Sequence, residues 1–281
     1  MSRVKSWELS DALWQLVEPM IPQRTRNPKR VYHRKPGAGR KPLPPRQVFA
    51  GILYVLRTGC QWNAVPKERF GAPSSVYGYF RSWAQAGFFL ALWVAGLTDY
   101  DEFHGIEWEW QSTDGAMSKA PLAQETVGPN PTDRAKAGSK RHLLTDGRGV
   151  PLALVTTGAN RHDVSQLERL LDFFVIPRPE VTPDRPQNLC ADKAYDSPYC
   201  RQVMLDRLFT PHIVSRGEEK QQKDRTPGHR ARRWVVEACH SWMNRYRKLL
   251  VRFEKTDASY YALLCLACAI IAWRQVFPIY E

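Results

Sequence analysis

Cysteine is scarce in this chain and badly placed for metal work. The six, at 60, 190, 200, 239, 265 and 268, make none of the paired-cysteine or Cys/His spacings of a zinc site. They read as reduced thiols, with Cys265 and Cys268 as core packing inside an apolar run. A long hydrophobic run is also missing. The longest, Tyr260 to Ala272, falls well short of the ~20 residues that cross a bilayer. The opening MSRVKSWELSDALWQL has no apolar signal-peptide core, so no membrane partner is expected and the cytoplasm is the expected compartment. No internal repeat is present. Acid is the remaining deficit: 28 Asp and Glu face 41 Lys and Arg, leaving +13 and a pI near 9.6. Such a balance points to a polyanion as partner. The shortage is local as well. From Arg24 to Arg46 there are nine bases and no acid, and the prolines and glycines among them forbid regular structure. This is an extended basic arm over about residues 23–46.

What is present can fold. Hydrophobic content of 43%, with ten Trp and eleven Phe, is enough to fill real cores. Ser10 opens a helical pattern, and Pro19 and Pro22 close it. RQVFAGILYVLRTG, CQWNAVPKERFG and SSVYGYFRSWAQAGFFLALWVAGL read as helix, loop and helix, with Gly59 ending the first and Ser74 or Ser75 capping the next. In a basic setting this suggests an all-α, helix-turn-helix-like DNA-binding domain over residues 1–99, with VYGYFRSWAQ as groove reader. A helical packing domain without DNA contact is the alternative.

Past residue 100 the period changes. IEWEWQSTD alternates, KRHLLTD and VPLALVTTG form strands joined by the turn DGRG, and QNLCAD and PHIVSR form two more. Helical patterns lie between them, one started at Asp163 and one at Ser197 with Pro198. A long helix follows from about Ala231 and another covers 258–277. The order predicts a second, α/β domain over residues 100–281.

Two acids stand where strands end. Ile106, Trp108, Trp110, Ser112 and Asp114 share one parity, so Asp114 projects from the aromatic face at the rim. Asp192 closes CAD in the same way, and strand ends in α/β sheets are where ligand sites form. Each alone has an ordinary reading as a turn residue. Glu237 is harder to place, because from Arg225 to Arg252 it is the one acid among eight bases. An i,i+4 ion pair accounts for Arg233, but not for the acid-free remainder. Phosphate chemistry accounts for both. Cutting or joining a phosphodiester requires charge neutralisation on attacking and leaving oxygens, which two divalent ions about 3.5–4 Å apart supply, and Mg²⁺ takes carboxylate oxygens. Asp114, Asp192 and Glu237 are thus candidate catalytic residues and metal ligands for two Mg²⁺ ions, with Mn²⁺ as a substitute. The surrounding cations would grip DNA phosphates.

These residues resemble a known family. Asp114, Asp192 and Glu237, with the phrases TDGAMSKAPL, GPNPTDRAKAGSKRHLLTDGRGVPLALV, GANRHD, ADKAYDS and RRWVVEACHSWMNRYRKLLVRFE, are similar to the DDE transposases of bacterial insertion sequence family five. The likeness runs in order from about residue 40 to 275. It implies a ribonuclease-H-like mixed five-stranded sheet flanked by helices. It also implies binding of terminal inverted repeats, metal-dependent cleavage at the element's ends and transfer of 3′-hydroxyls into target DNA. Two DNA ends must be brought together, so a homodimer on DNA is expected, acting at the nucleoid. Arg233 fits the arginine of the wider tyrosine-arginine-glutamate-lysine signature, from which the chain departs at Arg230 and Asn244. DNA contacts are expected from Arg40, Lys41, Arg46, Arg81, Lys119, Lys140, Arg141, Lys193, Arg233, Arg245, Arg247 and Lys248, with Arg40 as a minor-groove arm. Asp146 is expected to serve a hairpin turn and Asp163 a helix start. Two other readings use the same residues: a structure-selective nuclease, and a non-catalytic DNA-binding regulator.

Overall fold

The computed structural model describes residues 7–23, 41–213 and 234–279, with Lys5 and Val31 besides. Most of the basic arm, Arg40 included, lies outside the described residues, and so does Arg233.

Local chemistry starts and stops the first helices. Helix α1 (Asp11–Val17) is capped by Ser10, whose hydroxyl accepts from the Leu13 N–H. Helix α2 (Pro45–Thr58) ends at Gly59, which adopts the left-handed φ of 73° that favours glycine. A Cβ there would also meet Arg247. After the one-turn α3 (Lys67–Phe70), α4 (Pro73–Gln85) begins with Pro73 in its first turn and Ala72 before it, with no side-chain cap. The expected Ser74 or Ser75 cap is therefore corrected: proline's fixed φ starts the helix earlier. Helix α5 (Phe88–His104) runs through the expected domain division after residue 99.

The sheet follows. Its strands are β1 (Trp110–Lys119), β2 (Gly128–Pro129), β3 (Ala137–Thr145), β4 (Pro151–Gly158), β5 (Asn188–Ala191) and β6 (Thr210–Ile213). β3 pairs antiparallel with β1, β2 and β4, while β5 is parallel to both β1 and β6. Setting aside the two-residue β2, the lateral order is β4-β3-β1-β5-β6. The sheet is mixed, as expected. The β3–β4 hairpin turns at Asp146–Gly149, as the DGRG phrase predicts. Asp146 is fully buried there, accepting from the N–H groups of Arg148 and Val150 and from the Tyr100 hydroxyl. Its role is to close the turn.

Helices cover both faces. On one side α6 (Leu167–Leu171) and α7 (Pro198–Asp206, capped by Ser197) pack with Leu144, Ala153, Val155 and Leu189. On the other, α8 (Trp234–Asn244) and α9 (Asp257–Trp273) pack with Leu143, Leu152 and Leu154. Alternation along β3 and β4 thus feeds two cores, as a sheet buried on both faces requires. Cys265 and Cys268 are buried inside α9, in keeping with a packing role. The same core reaches α2, α4 and α5, so the N-terminal helices and the sheet domain share one apolar interior. Each Leu or Ile sealed there contributes about 1.5–3 kcal/mol relative to exposure. Among the described residues no helix is long and apolar enough to cross a membrane.

Candidate active site

Register brings the first two carboxylates together. β1 and β5 run parallel with Trp110 beside Asn188 and Ser112 beside Cys190, a constant offset of 78 (188 − 110 and 190 − 112). The same offset links Asp114 and Asp192. Two strands in register stand about 4.8 Å apart with like parity on one face; the pairing ends at Ser112 and Cys190, and carried two residues further it sets Asp114 beside Asp192, the residue that follows β5. Asp114 does not end its strand, however. β1 continues to Lys119 on the strength of its antiparallel pairing with β3, and what ends near Asp114 is β5, at Ala191. Asp192 then turns the chain, its Oδ1 accepting from the Ala194 N–H at 2.9 Å.

Glu237 comes from the other direction. It lies in the first described turn of α8 and is exposed, and α8 packs against β1 and β3. Three residues on, the buried His240 fixes the helix to the sheet. Its Nδ1 accepts from Arg141 Nε at 3.3 Å, its ring lies against the Asp114 backbone, and Asn244 Oδ1 accepts from Arg141 at 2.6 Å. Burial, with the Arg141 charge adding, holds the His240 pKa down to about 3. The ring is therefore neutral at physiological pH.

The electrostatics of Asp114 report the gathering. Burial raises its pKa to about 6; the Gly115 N–H opposes this from 2.8 Å, and the charges of Asp192, Asp163 and Glu237 add to it. A half-buried carboxylate in the field of three others is poised for a hard cation, which would relieve both the burial and the repulsion. Among the described residues, though, no three His, Cys, Asp or Glu side chains close to metal-holding distance. The triad shares one field without forming a coordination shell.

Asp163 is the acid that sequence reasoning placed elsewhere. It does not cap a helix. His162 precedes the 3-10 turn in which Asp163 lies, and the Asp163 carboxylate reaches Lys140 Nζ at 3.1 Å and His142 Nδ1 at 3.0 Å. Burial alone would raise its pKa, but the His142 contact and the Lys140 charge win and hold it below the usual range. A Cβ on Gly115 would sit 2.0 Å from Asp163 Oδ1, so the glycine after Asp114 is what admits this carboxylate against β1. The signal lay in GANRHD and TDGA, but only the β1–β3–β4 pairing joins them. Tyr195, buried beside the site, has its hydroxyl pKa raised by burial, with Asp163, Asp114 and Asp192 adding.

The expected DNA-gripping cations divide. Lys41, Arg46, Arg81, Lys119, Lys193, Arg245 and Arg247 are exposed, although Arg46 is paired with Asp11 and Lys119 with Asp133. Three expectations are corrected. Lys140 donates to the Arg161 carbonyl and pairs with Asp163. Arg141 is spent on His240 and Asn244. Lys248, 3% exposed, forms a buried pair with Glu254 at 3.3 Å. β3 is central and covered, so its charges face inward to partners.

With the site drawn, likeness to known proteins decides the family. Residues 108–272 match the family model described as a transposase DDE domain, and residues 9–93 match the one described as a putative transposase of the IS4/5 family. The chain belongs to the DDE transposases. A putative transposase for insertion sequence element IS402 of Burkholderia cepacia is 41% identical over 156 residues, 53% of this chain and 70% of that protein. An uncharacterized 16.2 kDa protein of the same element and organism is 30% identical over 124 residues, 44% of this chain and 80% of that one. Among solved structures, the transposase is similar to a pre-cleavage Mos1 transpososome (10% identity, 85% and 82% coverage, TM-score 0.26) and to a Mos1 paired-end complex with Mn (8%, 89% and 83%, TM-score 0.28). A DDE domain implies dependence on a divalent metal.

Proposed function

We propose that this transposase recognises the terminal inverted repeats of its own insertion sequence, cuts the element's ends by phosphodiester hydrolysis and passes the 3′-hydroxyls into target DNA. The observation that carries this reading is the register match of Asp114 with Asp192 under the helix that bears Glu237. In our reading these three carboxylates hold two Mg²⁺ ions, for which Mn²⁺ substitutes, and the exposed Glu237 completes the ligand set as the cations enter. When bound, such a pair neutralises charge on the attacking and leaving oxygens. The chain's own residues do the rest. Asp163, held by Lys140 and His142, keeps β1 fixed at Gly115, while His240, Arg141 and Asn244 key α8 to the same strand. Lys193, next to Asp192, faces solvent where a scissile phosphate would lie.

End recognition is assigned to residues 1–99, with α4 as reader. Its buried face is Val76, Phe80 and Trp83. The opposite stripe, Ser74, Ser75, Gly78, Arg81, Ser82 and Gln85, is exposed, and its small and hydrogen-bonding residues suit close approach to a groove. Lys41, Lys119, Arg245 and Arg247 supply backbone contacts. Two ends must meet, so the working form is a homodimer on DNA, acting at the nucleoid. The test is a labelled end duplex incubated with Mg²⁺ and target DNA. Joined product is expected; nicks without joining would indicate a nuclease, and a shifted but uncut band a regulator. Glu237→Gln should abolish cleavage and keep end binding, and retained cleavage would remove Glu237 from the metal site.

A further inference from the structure

The two faces of β1 carry different charges. Residues directly opposite one another in an antiparallel pair share a face. Asp114 is opposite Leu143, which packs with α8, whereas Gly115 is opposite His142 and Met117 is opposite Lys140, on the side covered by α6. That second side holds a set of ionic contacts. Asp163 pairs with Lys140 and with His142, Lys140 also donates to the Arg161 carbonyl, and the far ring nitrogen of His142 meets the Thr157 hydroxyl at 2.8 Å. Lys140, His142 and Thr157 are all buried, so these groups keep one arrangement.

Gly115 brings this set against the strand that carries Asp114. A Cβ on Gly115 would collide with the Asp163 carboxylate and press on Lys140 Cδ, so both side chains cross the bare backbone of the residue that follows Asp114. Glycine puts no side chain between the two faces. The Asp163 charge accordingly reaches across, adding to the burial and the Asp192 charge that raise the Asp114 pKa to about 6. Asp163 is not placed to ligate: among the described residues it joins no group of three His, Cys, Asp or Glu at metal-holding distance. A carboxylate one strand away attracts a cation yet leaves its coordination positions to water and phosphate oxygens, which Mg²⁺ retains. A buried ammonium at the same place does the reverse. Neither is much screened by salt, because both are taken out of solvent.

We propose that Asp163 is a positioning residue of the metal site: from the far face of β1, through Gly115, its charge strengthens the hold of Asp114 and Asp192 on divalent cations without ligating them, and Lys140 sets the strength by opposing that charge. The proposal rests on the assignment of the cations to Asp114 and Asp192 above.

The test is Mn²⁺ binding to the full chain without DNA, read from the electron paramagnetic resonance of free Mn²⁺ at pH 8, where an ordinary His is neutral. Asp163→Asn keeps the shape and removes the negative charge; Lys140→Met removes the opposing one. A cooperative melt above the titration temperature shows that each variant is folded. Asp163→Asn should weaken Mn²⁺ binding by about 10–100-fold, the range for partners that support metal ligands. Lys140→Met should strengthen it by several fold, and the double variant should fall between the two. A purely structural role predicts one sign for both, since each variant strands a buried partner and loosens the site. Weaker binding in both variants, or unchanged binding in Asp163→Asn, overturns the proposal. Should Asp163→Asn fail to melt cooperatively, the sign of the Lys140→Met change decides alone. Asp114→Asn separates this proposal from the assignment beneath it. Mn²⁺ affinity that survives Asp114→Asn refutes the placement of the cations, whereas affinity lost in Asp114→Asn but kept in Asp163→Asn refutes the role of Asp163 alone. A wild type that takes up no Mn²⁺ overturns both.

Discussion

Replacing Asp114 with Asn should stabilise the metal-free protein, and only above a definite pH. The carboxylate's pKa rises from 3.8 to about 6, first through burial and then through the charges of Asp192, Asp163 and Glu237. At ~1.4 kcal/mol per pH unit, that rise amounts to a penalty of about 3 kcal/mol for the ionised folded form, less whatever the half-exposed site recovers from water. The sign follows from linkage: a carboxyl raised by folding favours the native state while it is protonated, and that support is lost as pH climbs through the folded value. The variant's advantage should therefore be absent below about pH 4, grow between about 4 and 6, and be flat above. Urea unfolding in EDTA at pH 4.5, 6 and 8 reads it directly. Roughly 2 kcal/mol at pH 8, shrinking at pH 4.5, is the expected result. Adding divalent metal should reverse the order, because the wild type gains about 2.7 kcal/mol at a hundredfold excess over its Kd and the variant loses a ligand. An advantage equal at all three pH values would refute the electrostatic account, as would a less stable variant at pH 8.

Three further outcomes follow from particular contacts. Asp163→Asn should cost about 2 kcal/mol at neutral pH by leaving the buried Lys140 short of its partner; because the Asp163 pKa is lowered, the cost should shrink in urea titrations run below about pH 4. Glu254→Ala should cost about 3 kcal/mol through the stranded Lys248, whereas Lys248→Met with Glu254→Leu should recover most of it, as denaturant midpoints would report. Arg81→Ala, on the exposed stripe of α4, should reduce preference for end over random duplex by about 1–3 kcal/mol in competition binding if it reaches a base; an unchanged ratio would remove α4 as reader.

Much of this was legible because periodicity and punctuation are local. Ser10, Gly59, Ser197 and the DGRG turn act where the sequence puts them, since caps and turns depend on residues within a few positions. Asp114 was found by parity, and the 78-residue spacing to Asp192 is the β1–β5 register itself. What escaped depends on pairing between distant segments. The continuation of β1 past Asp114 needs β3 as its partner, and Asp163 reaches Gly115 only because β3 and β4 fold back across β1. Lys140, Arg141 and Lys248 read as surface cations because composition counts charge without showing what covers it; their partners lie between six and 188 residues away.

The account rests on three carboxylates drawn together by a cation. Anomalous diffraction from the transposase crystallised with Mn²⁺ and an end duplex tests it most directly. The expected result is Mn²⁺ at the Asp114 and Asp192 carboxylates with a Glu237 oxygen about 2.1–2.3 Å away, in the ordinary range for hard divalent cations. A fully occupied ion that Glu237 does not ligate, or duplex bound at the site with no ion between the carboxylates, would contradict it.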